Sequence, residues 1–239
     1  LSGEQQRKED LLYLQIGAEC SKCYSYYTYQ CDSLMAAPNG DKQWDSFLTE
    51  AIGKGLKGKQ LHNAIPHRRM SATIYKNYPQ GKITVTDFLL GQYYLYEDAL
   101  NSQEWNIEND SMKVVLGHEC QKATCSFRGR KWTAWFALDV PVSDGPLKFC
   151  GLPGLIMEVY DRGKQYYFCI NGMQQVSATP ITFGILDKDF KHFQKTDRKD
   201  FLLSKYRYLR NQNSINEAST GISLGSVDEA LKYDLIERE

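Results

Sequence analysis

The chain has 239 residues, with 29 lysines and arginines against 29 aspartates and glutamates, so its formal net charge is zero. Hydrophobic residues make up 42% and charged residues 24%, which is ordinary globular usage and argues against wholesale disorder. The balanced charge argues against a nucleic-acid-binding protein, and no apolar run approaches the roughly 18 residues of a membrane-spanning helix.

Two strands and a helix are predicted for the first part of the chain, after a polar lead-in. The strands cover Leu11 to Ile16 and Cys23 to Tyr29, the second because tyrosine and threonine favour strands. After turn residues, the apolar residues between Trp44 and Ile52 recur at helical spacing and predict an amphipathic helix. Glycines end this helix, and a basic loop follows as far as Arg69.

Short strands joined by hairpin turns are predicted for the centre of the chain, and consecutive hairpins favour an antiparallel sheet. Asp161 to Lys164 is a strong hairpin signal. From Lys188 the sequence becomes charged and helical, with a last short helix capped by Ser226. The predicted strands are Ala72 to Tyr75, Ile83 to Thr86, Phe88 to Glu97, Trp105 to Ile107, Lys113 to Gly117, Glu119 to Phe127, Lys131 to Leu138, Leu155 to Tyr160 and Gln165 to Ile170.

Seven cysteines leave several interpretations open. In an exported protein they predict some disulfides and at least one thiol left over. Cys120 and Cys125 are one candidate pair, although a bend would be needed, because one straight strand would hold them too far apart. The Cys20–Cys23 pair has the spacing of a redox or metal motif, but the residues after it favour a strand rather than the helix that a redox motif needs. Disulfides or inert thiols are therefore favoured over a metal site or redox catalysis.

Three further motifs match catalytic or binding patterns in residue type and spacing, but their sequence context does not fit. Gly221 to Gly225 fits G-x-S-x-G, but a polar stretch precedes it and no histidine follows it, so a loop is the better interpretation. The glycine-rich run from Gly53 to Lys59 leaves a helix instead of entering one, which argues against phosphate binding. His62 and His67 lie in the basic loop, where a solvated surface is more common than an anion or metal site. No catalytic or metal-binding residue and no cofactor is nominated.

The sequence resembles the GLPGLI family, which is named after the hexapeptide formed here by residues 151–156. The likeness covers roughly residues 10–180 and is most specific in its central block. The matching segments are Leu14 to Gly17, Ser21 and Lys22, Tyr96 and Glu97, Trp105, Cys120 to Thr124, Phe127 to Arg130, Thr133 to Phe136, and Val140 to Ile156.

The resemblance implies a protein exported to the envelope of a Gram-negative bacterium, in the periplasm or associated with the outer membrane. The family has no established activity, so no catalytic residue is carried over. We expect one domain over residues 1–239, with a β-rich region at 10–180 and a helical extension at 181–239. The expected fold class is α+β, predominantly antiparallel β, as a curved sheet or half-open barrel with a few peripheral helices.

Residues 145–154 form a stiff double bend in front of a buried strand, because Pro153 fixes its φ angle and Gly154 accepts positive φ. This bend either sets sheet curvature and register or lines the mouth of a ligand cavity. Trp132 and Trp135 would point to opposite faces of one strand, so only one of them can line a given cavity. The candidate ligand-binding residues are Trp132, Trp135, Phe149, Leu152 and Pro153.

The leading function hypothesis is a non-enzymatic envelope protein that binds a ligand or partner, either an apolar small molecule or an envelope protein. It rests on the 16 tyrosines, 10 phenylalanines and 4 tryptophans, on the strand-rich pattern and on the missing catalytic constellation. One alternative is a structural or accessory subunit of an envelope complex. Another is an uncharacterised hydrolase, which would need polar groups converging in a cleft.

Overall fold

Eleven strands and four helices make up the described part of the computed structural model, which covers residues 9–177, 180–183, 192–220 and 235–237. Among these residues, no helix is both long and apolar enough to cross a bilayer. In chain order the elements are β1 (Leu12–Ile16), β2 (Ser21–Ser25), α1 (Tyr26–Ala36), α2 (Gly40–Gly53), α3 (Gly58–Ala64), β3 (Thr73–Lys76), β4 (Lys82–Leu89), β5 (Gln92–Ala99), β6 (Asn106–Val115), β7 (His118–Phe127), β8 (Arg130–Ala137), β9 (Leu155–Asp161), β10 (Tyr167–Cys169), β11 (Gln194–Lys195) and α4 (Arg198–Thr220).

The strands form two sheets that are not closed into a barrel. A six-stranded sheet has the order β1-β2-β3-β4-β5-β11, and a five-stranded sheet has the order β10-β9-β8-β7-β6. Strand pairs are antiparallel, apart from the short β11, which lies parallel to β5. The predicted α+β, predominantly antiparallel fold is therefore confirmed.

Tight hairpins set the register of both sheets. The β4–β5, β6–β7 and β7–β8 turns each place a non-glycine residue and then a glycine in the positive-φ region, which matches the twist of the flanking strands. In the β7–β8 turn these residues are Arg128 (φ 50°) and Gly129 (φ 72°). The turn therefore fixes the backbone from which the Arg128 side chain projects.

The predicted second strand is wrong in its last part, because the chain turns into helix α1 at Tyr26. Ser25 accepts a hydrogen bond from the backbone N–H of Thr28 through its hydroxyl, which caps the helix. The same hydroxyl donates to Asp10 at 2.8 Å. A helix cap thus outweighs the strand preference of the tyrosines.

Other predicted boundaries also shift. The basic loop contains the short helix α3, and the two strands predicted between Trp105 and Gly117 are one strand with a register shift between Glu108 and Met112. The first of the two strands predicted between Ile83 and Glu97 extends to Leu89. The predicted helix at Ser226 lies outside the described residues.

A buried lysine joins the two sheets through the β8–β9 connection, residues 138–154. Lys76 of the six-stranded sheet is 2% exposed. Its ammonium group donates to the carbonyl oxygens of Gly145 (2.5 Å) and Phe149 (3.3 Å) and pairs with the carboxylate of Asp144. The thiol of Cys23 on β2 accepts from the backbone N–H of Leu147 at 3.3 Å. The six-stranded sheet therefore holds the connection that leads into β9 of the other sheet.

The glycine of the Leu152-Pro153-Gly154 bend has a different role from the predicted one. The positive-φ positions of the connection are Leu147 (φ 51°) and Gly151 (φ 90°), so the positive φ expected for Gly154 was wrong. A Cβ at Gly154 would instead overlap the carbonyl oxygen of Ala137 at the end of β8. Gly154 is thus required because two backbones come too close for any side chain.

All seven cysteines lie within the described residues, and each is a free thiol. The predicted disulfides, including a Cys120–Cys125 pair, are therefore wrong in this structure. Five of the thiols are buried, while Cys20 is partly exposed and Cys169 is exposed. Burial raises the pKa of Cys125 to about 12, so this thiol stays protonated at neutral pH. Inert thiols, the other half of the favoured interpretation, describe the five buried positions.

Replacing Lys76 with methionine should lower the free energy of unfolding by about 3–5 kcal/mol, because it leaves a buried carboxylate and two carbonyl oxygens without their donor. Urea denaturation followed by tryptophan fluorescence measures the loss. Lys82→Met is the control, since the Lys82–Glu97 pair is exposed and should contribute less than about 1 kcal/mol. Equal effects of the two substitutions would contradict the role of Lys76.

The Gly154→Ala variant should be destabilised by about 3 kcal/mol, because one backbone must move to admit the methyl group. Gly163→Ala is a matched control, since a Cβ there meets no atom closer than 3.6 Å. Thermal unfolding of both variants compares them directly. A Gly154→Ala protein as stable as Gly163→Ala would show that the close approach is not a constraint.

Thiol titration should count seven reactive groups in denaturant without reductant, and a single fast group, Cys169, in the folded protein. Cys169→Ser should remove that fast phase. Fewer than seven thiols in denaturant would restore the disulfide hypothesis.

The free energy of unfolding should also depend on pH through Cys125, whose folded-state pKa of about 12 lies above its unfolded value of about 8.5. The stability that comes from burying the protonated Cys125 thiol is complete below about pH 8.5 and is lost as the pH rises towards 12.

Candidate functional site

The five candidate ligand-binding residues do not form one site. Trp132, Phe149 and Leu152 are at most 3% exposed and share one core cluster, in which the Trp132 and Phe149 rings meet edge to face at 4.7 Å. Trp135 packs at the edge of a different cluster, as the opposite-face argument predicts. Pro153 is exposed. Of the five, Trp132 and Phe149 line a cavity between the sheets.

This inter-sheet cleft encloses about 130 Å³. Its apolar wall combines Ile74 and Val85 of the six-stranded sheet with Trp132 of the five-stranded sheet and Phe149 of the β8–β9 connection. Helix α4 contributes Phe201, whose ring lies 5.5 Å from that of Tyr94 and 5.6 Å from that of Tyr96. Four separate parts of the fold, the two sheets, the connection and helix α4, therefore build the apolar wall.

Helix α4 is also held against the cleft by a buried carboxylate. Asp87 of β4 is 3% exposed and accepts hydrogen bonds from Ser71 and from Lys205 of α4, both at 2.5 Å. Asp87 and Lys205 both line the cleft. A charged contact thus sets the position of the helix that carries Phe201.

Three cations and two carboxylates meet at one end of the cleft, and we call them the charge cluster. Arg128, Lys148 and Glu237 of this cluster line the cleft. Asp98 of β5 accepts from Lys148 (2.7 Å) and Arg128 (3.0 Å), and the Arg198 guanidinium lies 3.5 Å away. Glu237 contacts the same cations, at 2.5 Å from Lys148, 3.2 Å from Arg198 and 3.9 Å from Arg128. Four of these side chains are at most 9% exposed and Arg128 is 23% exposed, so solvent screens the pairs weakly.

The side chain of Tyr96 packs against Lys148 of the charge cluster. The ammonium group of Lys148 lies 4.8 Å from the centre of the Tyr96 ring and 3.3 Å from its hydroxyl oxygen. Burial raises the pKa of Tyr96 well above its ordinary value, and the nearby carboxylates of Glu237, Asp87 and Asp98 raise it further. Tyr96 therefore remains a neutral phenol and adds no negative charge to the cluster.

A short segment from the end of the chain, residues 235–237, lies in the cleft. Arg130 donates through Nε to the carbonyl oxygen of Ile236 and through Nη2 to that of Leu235, both at 2.9 Å. Asp161 (3.0 Å) and Gln165 (2.8 Å) hold the guanidinium in place. The Ile236 side chain packs against both main core clusters.

The segment is therefore bound by three kinds of contact. Its backbone carbonyls meet a buried arginine, Ile236 meets apolar side chains of both sheets, and the Glu237 carboxylate meets the charge cluster. This is the chemistry by which a protein binds a peptide: backbone hydrogen bonds, an apolar anchor and a charge contact.

The size of the cleft decides between kinds of ligand. Sites for drug-sized molecules usually enclose about 300–1,000 Å³, which is roughly two to eight times the volume found here. The remaining space accommodates an apolar side chain rather than a lipid or a cofactor. Among the described residues, no three histidine, cysteine, aspartate or glutamate side chains come together as metal ligands do.

Sequence reasoning missed Arg128, Lys148, Arg198 and Glu237. The position of Lys148 could have been recognised, since it lies between the apolar residues Leu147 and Phe149 in a stretch that is otherwise typical of buried chain. A lysine in such a place needs a buried partner. The other charges stand among polar or charged neighbours, and no local pattern separates them from surface residues.

Of the motifs set aside in the sequence, the glycine-rich run and His67 are not among the residues that line the cleft. The glycine-rich run leaves α2 at Gly53, as predicted, but it also enters the short helix α3 at Gly58, which was not predicted. His67 lies 3.0 Å from the carbonyl oxygen of Ile65 through Nδ1. The G-x-S-x-G segment, Gly221 to Gly225, lies outside the described residues.

Residues 121–158 match the model of a family described as "Protein of unknown function (Porph_ging)". The matched stretch runs from β7 into β9 and includes Arg128, Arg130, Lys148 and Phe149. A comparison with curated protein sequences found no match.

Among solved structures the chain is similar to PNGF-II. In a C2 crystal form the likeness has 12% sequence identity and a TM-score of 0.47 and covers 85% of this chain. In a P21 form it has the same identity and score and covers 83%. The chain spans about a third of the length of these proteins, 31% and 30% respectively.

Proposed function

We propose that the protein is an exported component of a bacterial cell envelope that binds a partner protein, without catalysis, in the cleft between its two sheets. The observation that carries this proposal is the cleft itself, where apolar walls end in the charge cluster and residues 235–237 of the chain itself make contacts of the kind that a peptide makes. Export rests on the resemblance to the GLPGLI family.

The charges favour a binding role over a purely structural one. Buried ion pairs contribute little to stability compared with apolar side chains of the same volume, because both partners must be desolvated. The charge cluster beside the cleft nevertheless contains three cations, of which Lys148 and Arg198 are 7% exposed. Such a cluster provides specificity for a carboxylate, which apolar packing cannot provide.

The small volume favours a protein partner over an apolar small molecule. A side chain that extends from a partner's backbone needs only the space of that side chain, whereas a lipid needs a cavity several times larger. The arginine that binds backbone carbonyls also fits a peptide better than a lipid tail.

A second candidate, an accessory subunit of an envelope complex, is favoured by a surface of tyrosines on β1, β2 and α1. The Tyr13 ring stacks on Tyr26 at 4.8 Å and meets Tyr24 edge to face at 5.9 Å. Tyr13 is 44% exposed and Tyr29 is 52% exposed. Tyrosine is enriched at protein interfaces, so this surface suits docking onto a larger assembly.

A photo-crosslinking residue in place of Leu202, which lines the cleft, should give an intermolecular adduct in the envelope fraction of host cells. The same residue in place of Leu203, which is 47% exposed and lies outside the cleft lining, is the matched control and should give none. Ala72 also lines the cleft. The Ala72→Met variant should abolish the adduct, because the longer methionine side chain fills the cleft.

Equal adducts at both positions, or an adduct that survives Ala72→Met, would overturn binding in the cleft. Recovery of the protein in the cytosolic fraction would overturn export. If the photo-crosslinking residue gives an adduct at position 29 and none at position 202, the accessory-subunit role is favoured.

A further inference from the structure

We infer that the cleft recognises a peptide segment with two apolar residues followed by an acidic one, and that residues 235–237 of the chain are a competing internal occupant. This inference rests on the proposed function and specifies the chemistry of the partner. Its evidence is the way in which the cleft contacts Leu235, Ile236 and Glu237.

The acidic position is defined by charge. Without Glu237, the charge cluster has three cations and one carboxylate, Asp98. A second carboxylate is needed to satisfy donors on Lys148 and Arg198 that are buried from water. The ligand must therefore supply a negative group at this point. Glu237→Gln in such a segment removes the charge and keeps the shape of the side chain.

The two ligand positions that precede the acidic one contact Arg130 and the apolar wall. The guanidinium of Arg130 reaches two successive backbone carbonyls and so does not select side chains there. Selection comes from the wall around the cleft, which includes Phe127, Trp132 and Phe201. These surroundings favour apolar side chains, as in the chain's own Leu235 and Ile236.

The internal segment leaves part of the cleft unfilled. Leu235, Ile236 and Glu237 themselves line the space of about 130 Å³, so that volume remains while the segment is bound. A partner with a larger apolar side chain could fill it and make contacts that the internal segment lacks. The internal segment nevertheless competes strongly, because covalent attachment gives it an effective concentration on the order of millimolar.

The test uses the full chain and labelled peptides with the sequence of residues 230–239, whose binding is followed by fluorescence anisotropy. In the receptor, Ile236→Ser with Glu237→Gln weakens the internal segment. This variant should bind the peptide at least tenfold more tightly than the unsubstituted chain, because its own segment competes less. A peptide carrying Glu237→Gln should bind at least tenfold more weakly than the native peptide.

Two receptor substitutions locate the binding. Arg128→Gln, added to the weakened receptor, should reduce affinity for the native peptide but not for the Gln peptide. Arg128 is the most exposed of the three cations, so the fold should tolerate its loss. Lys131→Gln, on the exposed side of the same hairpin, is the matched control and should change neither affinity.

If the weakened receptor fails to fold, the peptide is added in trans during a thermal melt. Recovery of a cooperative transition with the native peptide, but not with the Gln peptide, supports the inference. No recovery overturns it, because the segment is then a fixed part of the fold. Equal binding of both peptides also overturns it. A Leu202 adduct in cells without peptide binding would refute this ligand class and leave the proposed partner binding intact.

Discussion

The ammonium group of Lys76 belongs to one sheet, while its oxygen partners belong to the connection that enters the other. Its three donors meet three acceptors, the carboxylate of Asp144 and the carbonyls of Gly145 and Phe149. A buried cation is tolerated only when it is paired and hydrogen-bonded in this way. The contact therefore requires both sheets to be in place together.

The position of the β8–β9 connection follows from this contact and determines the cleft. Lys148 and Phe149 lie directly beside the anchored carbonyls, so their side chains are carried to the charge cluster and to the Trp132 ring. Gln103 supports the same stretch by donating to the carbonyl oxygen of Lys148 at 3.1 Å. Because these hydrogen bonds anchor the stretch, the adjacent Lys148 and Phe149 reach two different parts of the cleft lining.

The sheets were more predictable than the site, for a physical reason. Strands such as Lys131 to Leu138 carry a local alternation, and turns such as Asp161 to Lys164 carry their own residue preferences, so the sequence indicates both. The charge cluster combines residues from β5, a hairpin turn, the β8–β9 connection, the start of α4 and the end of the chain. No local pattern encodes their meeting, and neither does the cap that turns Tyr26 to Tyr29 into a helix.

The proposed exchange of the internal segment for a partner conserves charge. A partner carboxylate in place of Glu237 leaves three cations and two carboxylates, so the cations stay paired before and after exchange. The carbonyl contacts to Arg130 are equally reproducible by any peptide. The difference in affinity between two occupants then reduces to how well each fills the apolar space beside Trp132 and Phe201. Under this proposal, charge would select the class of ligand, and apolar packing would discriminate between ligands of that class.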